Sequence, residues 1–517
     1  MPSLVTDNFR VFAAEQFIES LEEPYDISNN TESDASAAAQ SYRSKIYLFI
    51  GRSQDWTLEK YSGGGWPSVT DFAPPDVQDS FNDSNEIYDD MIAVKRINST
   101  DVSKVIKRLT WKEDVKYDMY KNDYTSTNQS LNGHSNLYDS QSYVVNSNFQ
   151  VYKCIYNGIS PTYPQGRAST VEPSGTSTSI EDSAADGYRW KYMYTINISD
   201  YIRFVSSDFM PVRVDSAVAA AAVDGAVEQL IIDTRGTGNT TNAIYYCPII
   251  GDGTTDAIAK IVINASGGID TIESERVGAG YTRAKVILSE AYSTLSNALN
   301  RTGTNVSLSG VVNTIISPPG GHGSNPPLEL GGYRVMINKS LEFLDGDGDI
   351  PVDSQFRRFG LISDPKNVSN TDLTADTSTA CYAIKFPAVT NVNFDVGEII
   401  TQTTTGAKGR VIHWDTITKV LRYYQNEHID ESQSGTKQYK LIPFSGSNLV
   451  TGGTSGVTAT PDTAASGTGA FFGVSFTTGY AQPEIKKNSG SIIYVENRKA
   501  VNRSTDQTED IKLVVEF

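Results

Sequence analysis

Apolar residues along this chain come in short runs or alternate with polar ones, and turn-forming residues separate the runs. At the far end Ile511, Leu513, Val515 and Phe517 alternate with Lys512, Val514 and Glu516, the period-two pattern of a half-buried strand. Termini usually fray into small polar residues, so this pattern predicts a core strand that runs to residue 517. A second apolar run, Ile492, Ile493, Tyr494 and Val495, precedes it and is interrupted by Glu496, Asn497 and Arg498. The two runs are expected to pair as a terminal hairpin, with Asp506 and Thr508 closing the turn through side-chain to backbone bonds.

Further elements follow from the same pattern. "KIYLFIG" predicts a strand over 46–50 ended by Gly51, "DFAPPDV" an extended connector, and "YDDMIAVKRI" another strand. "STDVSKVIKRLTW" predicts a short helix, capped by Ser99 or Thr100, with Val102, Val105, Ile106 and Leu109 on one face. "YVVNSNFQVYKCIYN" predicts a hairpin, and "DGYRWKYMYTI" a strand with Tyr188, Trp190, Tyr192 and Tyr194 on one side. The first residues predict a short amphipathic helix.

Two regions differ in texture. Gly-punctuated strands of similar length fill 226–300 and again 380–482, and no repeat period relates the two. Both read as β-modules set into a discontinuous main domain. The resulting division is 1–225 for the first part of the main domain, 226–300 and 380–482 for the modules, 301–379 for its continuation and 483–517 for the closing hairpin. The fold class is mainly β (α+β): an elongated multidomain chain of β-sandwich-like domains with a few short helices.

Composition narrows the functional classes. A formal charge of -18 argues against a nucleic-acid surface, which needs clustered Lys and Arg, and favours basic partners. Three cysteines, Cys154, Cys247 and Cys381, lie far apart without CxxC spacing and read as small packed hydrophobes in a reducing compartment. The first residues lack the pattern of a signal peptide, and no window approaches the roughly 18 apolar residues of a membrane span.

Tests for chemistry return little. Of the four histidines, His134, His322 and His428 lie in polar loops and His413 in the strand-like "GRVIHWD", with no helical zinc pair among them. "DGDGD" at 345–349 has alternating carboxylates but fails the EF-hand pattern at Ile350 and Phe356, so it reads as an acidic turn. No GxxxxGK[ST] or GxSxG occurs. Carboxylate pairs for sugar cleavage depend on spatial separation and stay open. The tyrosine and tryptophan row at 188–194 reads as core packing. No catalytic residue, metal ligand, cofactor or small-molecule substrate is assigned, and an enzyme is not expected.

"FIGRSQDW", "DFAPPD", "DGYRWKYMYTI", "FRRFGLISDP" and "IIYVENRKAVNRSTDQTEDIKLVVEF" occur in that order. Together they resemble the baseplate wedge subunit of T-even-like contractile-tailed phages, the gene-product-eight family, over roughly half the chain. The last segment, with Y-x-E-N-R followed by DQTE-x-I, is the most specific. The two Gly-rich modules have no counterpart in the shorter T-even protein and are similar to β-modules in tail proteins of marine cyanophages. The resemblance implies a non-enzymatic virion component, assembled in the host cytoplasm, that forms homodimers and joins other wedge proteins. It also implies a part in the baseplate rearrangement that triggers sheath contraction. The positions that carry it are Gly51, Arg52, Trp56, Pro74, Pro75, Tyr188, Trp190, Arg357, Tyr494, Glu496, Asn497, Arg498, Asp506, Gln507, Thr508 and Glu509, which mark fold or interface. Glu496 and Arg498 are expected to satisfy each other or nearby backbone. The alternative is a receptor- or glycan-binding tail protein, for which Trp414, Tyr423 and Tyr424 form the nearest aromatic patch.

Overall fold

The computed structural model describes residues 4–21, 45–56, 73–342, 349–425, 441–468, 474–504 and 506–517. The protein is mainly β, with six sheets among the described residues and six α-helices of at most 14 residues. No described helix is long and apolar enough to cross a membrane. The chain divides into two compact units, and both are discontinuous. Unit 1 comprises Met1–Gln16, Ser103–Met336 and Val514–Phe517; unit 2 comprises Phe17–Val102 and Ile337–Leu513.

Unit 2 is built on a five-stranded antiparallel sheet in the order Thr377–Thr379, Met91–Arg96, Ile46–Gly51, Ser354–Ser363, Ser491–Arg503. Every residue of the central Ile46–Gly51 strand is buried, which is why its sequence is a continuous apolar run without alternation. Tyr47, Phe49, Ile87, Met91, Val94 and Ile362 form the core beside it, and the Tyr47 hydroxyl donates to the carbonyls of Leu373 and Ala375. Gly360 must be glycine, because a Cβ there would stand 2.2 Å from the Tyr494 carbonyl and 2.6 Å from the Phe49 ring.

The same unit holds a seven-stranded sheet between Tyr382 and Ala481, close to the expected 380–482 module. Phe386, Phe394, Trp414, Leu421, Tyr423 and Phe444 pack its core with edge and stacked ring contacts. The aromatic patch of Trp414, Tyr423 and Tyr424 is therefore buried, each residue at most 8% exposed.

Unit 1 contains the second module, but its core runs from Val227 to Ile316, past the expected boundary at 300. Strands Ile244–Gly251, Ala257–Ile263 and Ile269–Arg276 pair in sequence, while Gln229–Thr234 pairs with Val311–Ile315. Leu230 and Ile232 face the module core and Ile231 faces a neighbouring core with Tyr117, Tyr152, Tyr188 and Trp190. In that core the Tyr188–Thr195 strand pairs with Gln150–Asn157 across a register shift at Val151/Tyr152. The shift breaks the aromatic row: Tyr188, Trp190 and Tyr192 stay in one cluster, whereas Met193 and Tyr194 both enter another.

Two expectations are corrected. The segment 99–109 is not a helix: only Ser99–Asp101 forms a 3-10 turn, with Asn98 and Asp101 making a capping box, and Val102–Lys107 is a strand paired with Phe209–Pro211. The cap is Asn98, not Ser99 or Thr100, and the β-branched Val102, Val105 and Ile106 suit a paired strand better than a helix. Nor do the last two strands form a hairpin. Ser491–Arg503 pairs with Ser354–Ser363, whereas Glu509–Glu516 lies beside Arg334–Leu341 in a different sheet.

The end of the chain is nonetheless in the cores. Ile511 and Leu513 are buried in unit 2, and Val514 packs against Val105, Phe204 and Met336 in unit 1. Within unit 1, Arg10 Nε donates to the Phe517 carbonyl at 2.6 Å, and Arg334 Nε donates to Glu516 at 2.9 Å. Deletion of residues 511–517 should give insoluble protein when expressed; a soluble truncation with one cooperative unfolding transition would refute this.

Candidate functional site

Half of the singled-out positions of unit 2 converge on one node where the central sheet meets the turn 51–56. Gly51 ends its strand opposite Arg358, and its missing Cβ lets Asp90 approach, since a Cβ would lie 3.1 Å from the Asp90 carbonyl. Arg52 then adopts φ 55°, a left-handed conformation that costs a non-glycine residue about 1 kcal/mol. Its N–H donates to the Asp90 carbonyl at 2.8 Å, and its guanidinium lies 4.3 Å from the Trp56 ring and donates to the Asp55 carbonyl.

Asp90, 6% exposed, is the carboxylate of the node. Arg358 Nη1 lies 2.9 Å from both of its oxygens, and Arg52 Nη1 is 3.8 Å away. Arg358 Nε donates to Asn497 Oδ1 at 2.9 Å, and Asn497 Nδ2 donates to the Pro75 carbonyl at 3.0 Å. Trp56 Nε1 donates to the Arg498 carbonyl at 2.7 Å, and Arg357 Nη1 to the Ser53 carbonyl at 2.6 Å. Two guanidiniums, Arg52 and Arg358, thus lie at most 5% exposed beside one carboxylate, with the excess charge spread over backbone carbonyls and an indole face, and buried Arg357 holds the Ser53 carbonyl of the same turn. Burial pulls the Arg52 guanidinium below its usual range against the opposing pull of Asp90. A cavity of about 10 Å³ between Arg52, Trp56, Pro75, Arg358 and Asn497 has room for about one water.

The polar trio divides by role. Asn497 belongs to the node, whereas Arg498 Nε and Glu496 Oε1 form a partly exposed pair at 3.3 Å, and the Tyr494 hydroxyl donates to Glu496 Oε2. Surface pairs of this kind contribute little. Pro74 is half-buried beside Pro75. Asp506, Gln507 and Thr508 are exposed; Asp506 accepts from the Ser504 hydroxyl, and Thr508 makes no side-chain hydrogen bond among the described residues. The expected closure of that turn by Asp506 and Thr508 is therefore replaced. Arg503 does the work: its fully buried guanidinium reaches Glu509 Oε2 at 2.8 Å and the carbonyls of Glu342, Ile350 and Pro351.

Tyr188 and Trp190 are not part of the node. They stack at 5.3 Å in the aromatic core of unit 1, and the Tyr188 hydroxyl donates to the Arg167 carbonyl at 2.7 Å. All three cysteines are buried and free. The acidic run 345–349 lies outside the described residues except for Asp349, which accepts from Thr377 Oγ1 at 2.8 Å; His428 also lies outside them. Among the described residues no cluster of His, Cys, Asp and Glu is arranged to hold a metal.

Sequence patterning placed His322 in a polar loop, but it is buried in unit 1. Its Nδ1 lies 2.6 Å from Glu329 Oε1, its ring meets Tyr120 edge-on at 4.6 Å, and the Gly323 N–H donates to Glu329 Oε2. Burial by itself would raise the Glu329 carboxyl; the charge and hydrogen bond of His322, with help from Lys153 and the Gly323 N–H, hold it below its ordinary value. Burial also pulls the Lys153 ammonium down to about 8. In the other unit His413 is buried with Nδ1 unpartnered, and desolvation pulls it down to about 4, so it is a neutral packed residue at pH 7.

No family model matches the chain, and no curated protein matches it significantly.

Two outcomes test these arrangements. Arg358→Met leaves Asp90 buried without its principal partner, and urea unfolding should show a loss of about 3–5 kcal/mol, partly recovered by adding Asp90→Asn. The lowered Glu329 carboxyl contributes stability that is complete above its unfolded value near 4.3 and is lost as pH falls through the lower folded value. Urea midpoints measured from about pH 5 down to 3 should therefore fall less steeply in Glu329→Gln than in the parent.

Proposed function

We propose that the chain is a structural subunit of the baseplate wedge of a contractile phage tail. In this reading it dimerises, links neighbouring wedge proteins and takes part in the rearrangement that triggers sheath contraction. One observation carries it: "FIGRSQDW", the Pro-Pro connector, "FRRFG" and "YVENR" come from positions 49 to 498, and residues of all four meet at the Asp90 node. Four of the segments that jointly resemble one family thus each contribute a residue to one structural centre, while the segment at 188–194 packs the aromatic core of unit 1. The side chains there are occupied in holding carbonyls, an indole and one carboxylate, and about 10 Å³ of space remains. That is the economy of a scaffold, in which a fixed framework presents surfaces to neighbours and interfaces choose between arrangements.

The receptor- or glycan-binding alternative loses its nearest patch, because Trp414, Tyr423 and Tyr424 are spent on the core of their module.

Quantitative mass spectrometry of purified phage particles, counting this chain against the sheath protein, tests the reading. The expected result is a small multiple of six copies per particle. A few copies in a multiple of three would favour a spike or fibre, and absence from particles would overturn the proposal.

A further inference from the structure

Unit 1 contains an open cleft of about 510 Å³, within the range of ordinary ligand sites, and the wedge reading assigns it nothing. Its walls include the rings of Tyr120, Tyr138 and Tyr281 with Leu137 and Leu328, and the charged residues that line it, Asp224 and Glu329, are both acidic.

The polar groups of this cleft are incompletely used. Tyr120 is only 2% exposed, yet its hydroxyl makes no hydrogen bond among the described residues, and neither does the hydroxyl of half-buried Tyr138. Neither hydroxyl is sealed from solvent, so each opens onto the cleft, where a ligand can supply its partner. Asp224 accepts the Gly320 N–H through Oδ1 at 2.7 Å, and its Oδ2 has no protein partner among the described residues. Burial raises the Tyr138 phenol to about 12 and the Tyr120 phenol further, so both stay neutral and offer acceptor oxygens at neutral pH. Glu329 is engaged by His322, and Lys153 stands 5.6 Å from the Tyr120 ring, so Asp224 is the carboxylate left to attract a ligand.

We propose that this cleft binds an arginine side chain presented by a partner polypeptide. Acceptor oxygens, tyrosine rings and an unbalanced carboxylate suit a planar cation with several N–H donors. An anionic ligand would face Asp224 and Glu329 without a lining cation. A lysine ammonium could meet the charge but not stack on the rings. An acidic protein with a formal charge of -18 also draws basic partner segments toward it.

Saturation-transfer NMR on the full chain tests the proposal, with Nα-acetyl-arginine amide as probe and its uncharged isostere Nα-acetyl-citrulline amide as control. The arginine probe should bind saturably, the citrulline probe at least roughly ten-fold more weakly, and Asp224→Asn should weaken the arginine probe by a similar factor. Asparagine keeps the Oδ1 acceptor for Gly320, so this variant should keep the parent's thermal midpoint. Tyr138→Phe, which removes only a hydroxyl, should also weaken the probe and guards against misfolding of the first variant. Equal binding of the two probes, or unchanged binding in both variants, would overturn the site. Tighter binding of agmatine than of the arginine probe would overturn the polypeptide source in favour of a free amine.

Discussion

A single buried carboxylate organises unit 2. Asp90 is enclosed with the guanidiniums of Arg52 and Arg358, and an ion taken out of water must recover its hydration from fixed partners. That requirement dictates the surroundings. Gly51 clears space for Asp90, Arg52 takes a left-handed backbone so that its N–H meets the Asp90 carbonyl, and the turn 51–56 offers the carbonyls of Ser53 and Asp55 to the excess charge. Trp56 covers the guanidiniums with its ring and ties its own N–H to Arg498. Replacing such a centre by apolar residues often costs nothing in stability, so its value lies in register. A slip of the Ser491–Arg503 strand by one residue would move Asn497 away from Arg358.

Arg503 repeats the principle at the end of that strand. It gathers carbonyls from Glu342, Ile350 and Pro351 together with Glu509, so three separated points of the chain share one cation. Unit 2 is therefore pinned at the middle and at one end of its longest strand by arginines that work inward. The outward-facing pair of Glu496 and Arg498 stays half exposed and available to water or a neighbour.

What the sequence made legible was local. Continuous apolar runs such as Ile46–Gly51 identified strands covered on both faces. The segment 99–109 misled because its capping residues act over one turn, whereas the pairing of Val105 with Pro211 spans a hundred residues. The terminal hairpin failed for the same reason: adjacency along the chain favours pairing, but Ser354–Ser363 and Arg334–Leu341 supplied other edges. Quoted motifs named most of the node without its centre. Asp90 and Arg358 carry no signal of their own, and His322 looked polar because its partner Glu329, seven residues away, follows a glycine-rich turn and a Pro-Pro pair.

The interleaving of the two units has a consequence for synthesis. Domains usually fold as they emerge from the ribosome, first segment first. Here unit 2 lacks its Ser491–Arg503 strand, and unit 1 its Val514–Phe517 segment, until residues 491–517 have been made. Neither unit can therefore complete its core until those residues have emerged, and the Ser354–Ser363 strand of unit 2 waits for its Ser491–Arg503 partner while more than a hundred residues are added. Chaperone capture during that interval, rather than native stability, would then set the yield of folded protein.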